Sequence, residues 1–87
     1  MKNHVEKKAR KDIDNLSITI RKLVQKALLG ILEVNEISEI SNCNKMRGDK
    51  LSYSIRISKY RIGFKYEEER INIYRVLHRK EIYSRFP

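Results

Sequence analysis

Five side chains in this sequence are of the types, and near the spacing, needed to handle a phosphate ester: Arg56, Arg61, His78, Arg79 and Tyr83. Arginine's planar fork can grip phosphate oxygens bidentately. Histidine takes or gives a proton near neutral pH, and a tyrosine held among cations is a candidate base for a ribose 2′-hydroxyl. RNA can be cut by such a set without a metal, because its own 2′-hydroxyl is the nucleophile and the arginines stabilise the charge that develops on the phosphate. No cofactor and no metal are therefore expected. The carboxylates agree, since Asp and Glu fall mostly in the first half or in Glu67-Glu68-Glu69. The lone Cys43 offers no zinc spacing and no internal disulfide, and it fits a reducing cytoplasm. A blander account also exists. Strand faces carry arginine for solubility and edge protection, and a tyrosine under a C-terminal tail is common. The five residues need a scaffold that brings them together.

The hydrophobic pattern supplies one. Leu16, Ile20, Leu23, Val24, Ala27, Leu28, Ile31 and Val34 recur at the spacing of one helix face. The spacing predicts a helix over 17–34, with Ser17 as N-cap and a stop at Asn35. Gly30 within it costs about 1 kcal/mol against alanine. A shorter helix over 6–15, with Ala9, Ile13 and Leu16 as its stripe, precedes it, so the two form an N-terminal helical hairpin turning near Asn15-Leu16-Ser17.

The second half changes to period two. Tyr53, Ile55 and Ile57 alternate with Ser54, Arg56 and Ser58; Ile62, Phe64 and Tyr66 alternate with Arg61, Gly63 and Lys65. Ile71, Ile73, Arg75 and Leu77 alternate with Asn72, Tyr74, Val76 and His78. The short breaks at Ser58-Lys59 and Glu67-Glu68-Glu69 predict hairpins. The fold class is therefore α+β: the helical hairpin packs on a small, mainly antiparallel twisted sheet of three strands, or four if Asn3 to Val5 or Lys45 to Arg47 adds an edge. Lys80 to Phe86 is a tail with room for one helical turn, stopped by Pro87. Strand parity turns Ile55, Ile57, Ile62 and Phe64 toward the helices, and Arg56, Arg61 and Lys65 toward the other face.

A chain of 87 residues holds one domain. Its net charge of +9 is uneven: residues 1–42 carry 8 basic and 6 acidic side chains, and residues 43–87 carry 12 and 5. Such a surface suits a polyanion or an acidic protein. Neither a signal peptide nor an apolar run of the roughly 20 residues needed to cross a bilayer is present. A cytoplasmic protein with no membrane contact and no small-molecule ligand is expected.

Lys45-Met46-Arg47-Gly48, Tyr53-Ser54-Ile55-Arg56-Ile57, Tyr60-Arg61-Ile62-Gly63-Phe64, Leu77-His78-Arg79-Lys80-Glu81-Ile82-Tyr83 and Phe86-Pro87 together resemble the RelE/ParE toxin superfamily. The resemblance is strongest to RelE-like members ending in a similar tail. It is specific over about residues 43–87 and covers the helices in pattern only. It implies the toxin of a type II toxin–antitoxin system, cleaving messenger RNA in the ribosomal A site and held inactive by a cognate antitoxin. On that resemblance Arg61 contacts the scissile phosphate, Arg56 is a basic position on the preceding strand, and Arg79 and Tyr83 serve transition-state stabilisation and proton transfer. His78 belongs to a His-Arg variant of the tail, as an acid or base. Lys45, Arg47, Lys65 and Arg75 are candidate contacts to the RNA. Ser54 departs from the pattern, standing where the best-known RelE toxins carry lysine, and Met1 to Val5 is short for the family's first strand. A ParE-like inhibitor of DNA gyrase is the alternative on the same fold. Arg61, Arg79 and Tyr83 favour the nuclease, because an inhibitor that acts by binding needs no phosphate-centred cluster.

Overall fold

A computed structural model describes residues 1–87. The elements run β1 (Asn3–Val5), α1 (Lys7–Asp14), α2 (Ile18–Ile31), a 3-10 turn (Ile37–Glu39), β2 (Cys43–Lys45), β3 (Ser52–Ile57), β4 (Tyr60–Glu67), β5 (Arg70–His78) and α3 (Ile82–Arg85). The strands form one sheet in the order β1-β5-β4-β3-β2. β2 to β5 pair antiparallel, while β1 pairs parallel with β5.

Two expectations are corrected here. The sheet is mixed and has five strands rather than three or four, since Asn3–Val5 and Cys43–Lys45 both join it. The chain also opens on a strand that enters the sheet before the helices begin. Three residues are too few to display an alternation, and β1 finds its partner in Ile71 to Ile73, far along the chain. Such pairing is decided by tertiary contact and leaves no local pattern. The helices form where the apolar spacing predicts. The backbone N–H of Ile20 donates to Ser17 Oγ at 3.4 Å, satisfying one of the donors a helix start leaves open. α2 ends at Ile31 rather than at residue 34, one residue beyond Gly30.

The main core lies between helices and sheet. Ala9, Leu16, Val24 and Ile31 meet Ile55, Ile62, Phe64, Ile71, Ile73 and Val76. Full burial of a residue such as Phe64 contributes roughly 2–3 kcal/mol. The opposite face carries a smaller cluster of Met46, Leu77, Ile82 and Phe86, so the C-terminal segment straps across the sheet's other side.

One irregularity changes the parity of β5. Gly63 pairs with Arg75, but Phe64 pairs with Ile73, so Tyr74 is an extra residue and the ladder bulges there. Beyond it Val76 joins the main core and Leu77 the opposite cluster. Uninterrupted alternation, which groups Leu77 with Ile71 and Ile73, holds only up to the bulge.

Candidate active site

The face away from α1 and α2 presents the arginines. Arg56 and Arg61 are direct partners across β3 and β4, a position that holds Cβ atoms about 4.5–5.5 Å apart. The two-residue turn Ser58-Lys59 fixes this register, with Ser58 in the left-handed region at φ 55°. Neither guanidinium meets a carboxylate. Arg56 donates to Asn42 Oδ1 at 3.2 Å, and Arg61 donates to the carbonyls of Ser58 at 3.2 Å and Tyr60 at 2.9 Å. Like charges directly opposed across a ladder are destabilising, and no acidic group offsets them. Both are held only by neutral oxygens, which a phosphate can replace.

Arg79 joins them through the same turn. Its backbone N–H donates to the Lys59 carbonyl at 2.8 Å, which ties the end of β5 to the hairpin that positions Arg61. The Arg79 side chain is exposed. Tyr83, on α3, points outward with 69 % exposure because its neighbour Ile82 is the buried anchor. It lines a groove with Lys45, Met46, Arg47, Phe86 and Pro87, so the structure brings Tyr83 beside two candidate RNA contacts.

His78 is placed differently. It pairs with Tyr60, which packs on the main core, and its ring meets the Tyr60 ring edge-on at 5.4 Å. The bulge has thus turned His78 toward the helical side, away from Arg61 and Leu77. Its Nδ1 accepts the Lys80 N–H at 3.1 Å, leaving Nε2 as the protonated nitrogen of a neutral ring.

The remaining cations have internal partners to different degrees. The Arg75 guanidinium grips Asp12 of α1 bidentately, at 2.8 and 3.1 Å, and both side chains are 14 % exposed. Its hydrogen bonds to that carboxylate raise its pKa further. Lys65 lies 3.4 Å from Asp49 and over the Tyr74 ring. Burial, then the nearby Glu67 carboxylate, raise the Tyr74 hydroxyl above the ordinary tyrosine value. Lys45 stacks over Tyr53, its ammonium 4.9 Å from the ring centroid, and donates to the Lys50 carbonyl. Arg47 is exposed and enters no ion pair.

Ser54 shares the arginine face but is only 3 % exposed. It pairs with Gly63, and a Cβ on Gly63 would lie 2.6 Å from the Phe86 ring. The cover that packs on Gly63 leaves little room for a lysine at the neighbouring position. Residues the sequence did not single out also shape the site. Asn42 holds Arg56 through a contact distant in sequence with no motif to mark it. The Lys59 carbonyl, in a turn the spacing predicts, takes on the unforeseen role of holding the Arg79 backbone.

The fold and site define a small basic α+β protein that presents paired arginines on a sheet face partly covered by its own C-terminal segment. No protein-family model matches the chain. Toxin RelE3 of Methanocaldococcus jannaschii is 33% identical over 78 residues, spanning 88% of this chain and 89% of the relative. The RelE of the RelB–RelE antitoxin–toxin complex from Methanococcus jannaschii superposes with a TM-score of 0.80 at 31% identity, covering 95% of this chain and 98% of that one. The intact E. coli RelBE toxin–antitoxin complex gives 0.69 at 27% identity, over 88% and 94%. The protein belongs to the RelE family of toxins.

Proposed function

We propose that this RelE-family toxin is an endoribonuclease that cuts messenger RNA in the ribosomal A site. The observation that carries the reading is the directly opposed pair Arg56 and Arg61, unpaired with any carboxylate, on a face shared with Leu77 and bordered by Arg79. A structural role is a poor account of such a pair, since it costs stability; a phosphodiester between the two guanidinium groups relieves that cost. In the proposed reaction Arg61 and Arg56 hold the scissile phosphate, and Arg79 adds charge stabilisation as the pentacoordinate phosphorus forms. Tyr83 takes the 2′-hydroxyl proton onto its phenolate oxygen, and the 2′-oxygen attacks phosphorus. The bond from phosphorus to the 5′-oxygen breaks as solvent water gives that oxygen its proton, leaving a 2′,3′-cyclic phosphate. His78 acts as a positioning residue that locks the start of the tail through Lys80.

A cognate antitoxin is the second part of the proposal. Solved relatives are complexes of RelE with the antitoxin RelB. This chain offers an apolar groove between α2 and β3, lined by Leu23, Ala27, Ile31, Ile40 and Ile57. An amphipathic antitoxin segment finds its anchors there, and its acidic groups offset the basic sheet face.

Purified protein added to a translating ribosome system tests the activity. Transcript cuts at A-site codons support it. Intact transcripts together with blocked gyrase supercoiling would replace it with the ParE-like reading, and intact transcripts with normal supercoiling would remove both.

A further inference from the structure

Along β4, Gly63 separates Arg61 from Lys65, and Phe86 sits on that glycine. The C-terminal segment therefore divides the basic face in two. Beyond Phe86 lies a groove between the start of α1, β5 and the tail, whose charged lining includes Lys7, Lys8, Lys65 and Arg85 against the single carboxylate Glu6. Lys7 and Lys8 are exposed and enter no ion pair. Arg85 is held by Glu81 at 2.8 Å with both side chains half exposed, and Lys65 lies 3.4 Å from Asp49 with both partly exposed; pairs so open to solvent are exchanged at little cost.

Two chemistries suit a cationic groove, protein carboxylates and nucleic-acid phosphates. Protein segments gain most of their affinity from buried apolar or aromatic anchors. In this groove Tyr74, Phe86 and Pro87 are the only uncharged lining residues, and Phe86 is already spent in the second core cluster. The α2–β3 groove is the one that offers such anchors. A phosphate backbone needs only closely spaced cations. Arg61 and Lys65 lie four residues apart on β4, about 13 Å, within reach of one RNA strand.

We infer that the Lys7–Lys8–Lys65–Arg85 groove binds the RNA sugar–phosphate backbone as a second contact, holding one strand on both sides of Phe86. The inference deepens the RNA-cleaving reading and rests on it for the role of the bound strand, while binding itself is measurable without cleavage. The probe is a fluorescein-labelled single-stranded RNA with 2′-O-methyl riboses, which cannot be cut through its 2′-oxygen. It is titrated against the full chain by anisotropy across a salt series. Lys7→Glu/Lys8→Glu suits the test, because carboxylates are favoured in a helix's first turn; a thermal melt checks folding. Affinity is expected to fall about tenfold, and the slope of log K against log salt to become shallower by about 1.4. Lys7→Gln/Lys8→Gln should move both in the same direction by less. Wild-type affinity and slope in both variants would overturn the inference. So would intact RNA binding with weakened antitoxin binding, which would assign the groove to the protein. Loss of RNA binding in the variants, alongside a wild-type chain that leaves ribosome-bound transcripts uncut, would retain the groove and remove the cleavage reading.

Discussion

At the scale of single residues, the chemistry rests on which cations are free and which are spent. Arg56 and Arg61 have only neutral acceptors; Arg75 is fully engaged by Asp12. Arg61→Ala should lower cleavage about 10²–10³-fold, the cost of removing one donor to a developing charge. Tyr83→Phe should do the same with an unchanged melting temperature, because Tyr83 is 69 % exposed. Near-wild-type cutting by either variant would remove that residue from the site. Asp12 works in the opposite sense. Its carboxylate takes two hydrogen bonds from Arg75 and one from the Val76 N–H at 3.0 Å, serving β5 where β1 has ended. Asp12→Ala strands a largely buried guanidinium and the backbone donor of Val76, and should cost about 3 kcal/mol in denaturant unfolding. A cost below about 1 kcal/mol, typical of an exposed pair, would show the clamp to be superficial.

At the scale of elements, the arrangement depends on how β3, β4, β5 and the tail fit. Glu68 and Glu69 both adopt positive φ, at 51° and 62°, the geometry of a two-residue hairpin that glycine and asparagine meet more easily. The turn forms without them because eight cross-strand pairs between β4 and β5 over-determine it. The tail depends on Gly63. A methyl group there would lie 2.6 and 2.9 Å from Phe86 ring atoms, and fully buried Ile82 would be the remaining anchor on α3. Gly63→Ala should therefore destabilise the fold by about 1–3 kcal/mol and release the tail. Limited proteolysis should then cut between Lys80 and Arg85 in the variant before it cuts the wild type. Equal cutting rates would mean that the segment does not depend on this contact.

At the scale of the whole molecule, +9 on 87 residues is both an attraction for polyanions, RNA in the proposed reading, and a self-repulsion. Added salt weakens the first and relieves the second. Raising sodium chloride should therefore raise the melting temperature of the free protein while weakening its hold on RNA. A melting temperature that falls with salt would mean that ion pairs such as Asp12–Arg75 outweigh the repulsion.

Much of this fold is legible in the residue order, because helix and strand periods are local. The α2 face, the Ser17 cap, the alternation on β3 and β4, and hence the shared face of Arg56 and Arg61, follow from side-chain spacing alone. Recognition of the RelE pattern rests on contiguous motifs in the second half and is equally local. What the chain order does not carry is any contact closed across a long loop. β1 and β2 are too short to show a period and exist only because β5 and β3 offer free edges. The extra residue at Tyr74 is invisible as alternation, yet it turns His78 from the arginine face toward Tyr60. The partners that separate spent cations from free ones, Asp12 for Arg75 and Asn42 for Arg56, lie 63 and 14 residues away. The five residues that suggested phosphate chemistry were chosen by type and spacing; the bulge, the strap over Gly63 and these distant partners decide which of them share a face.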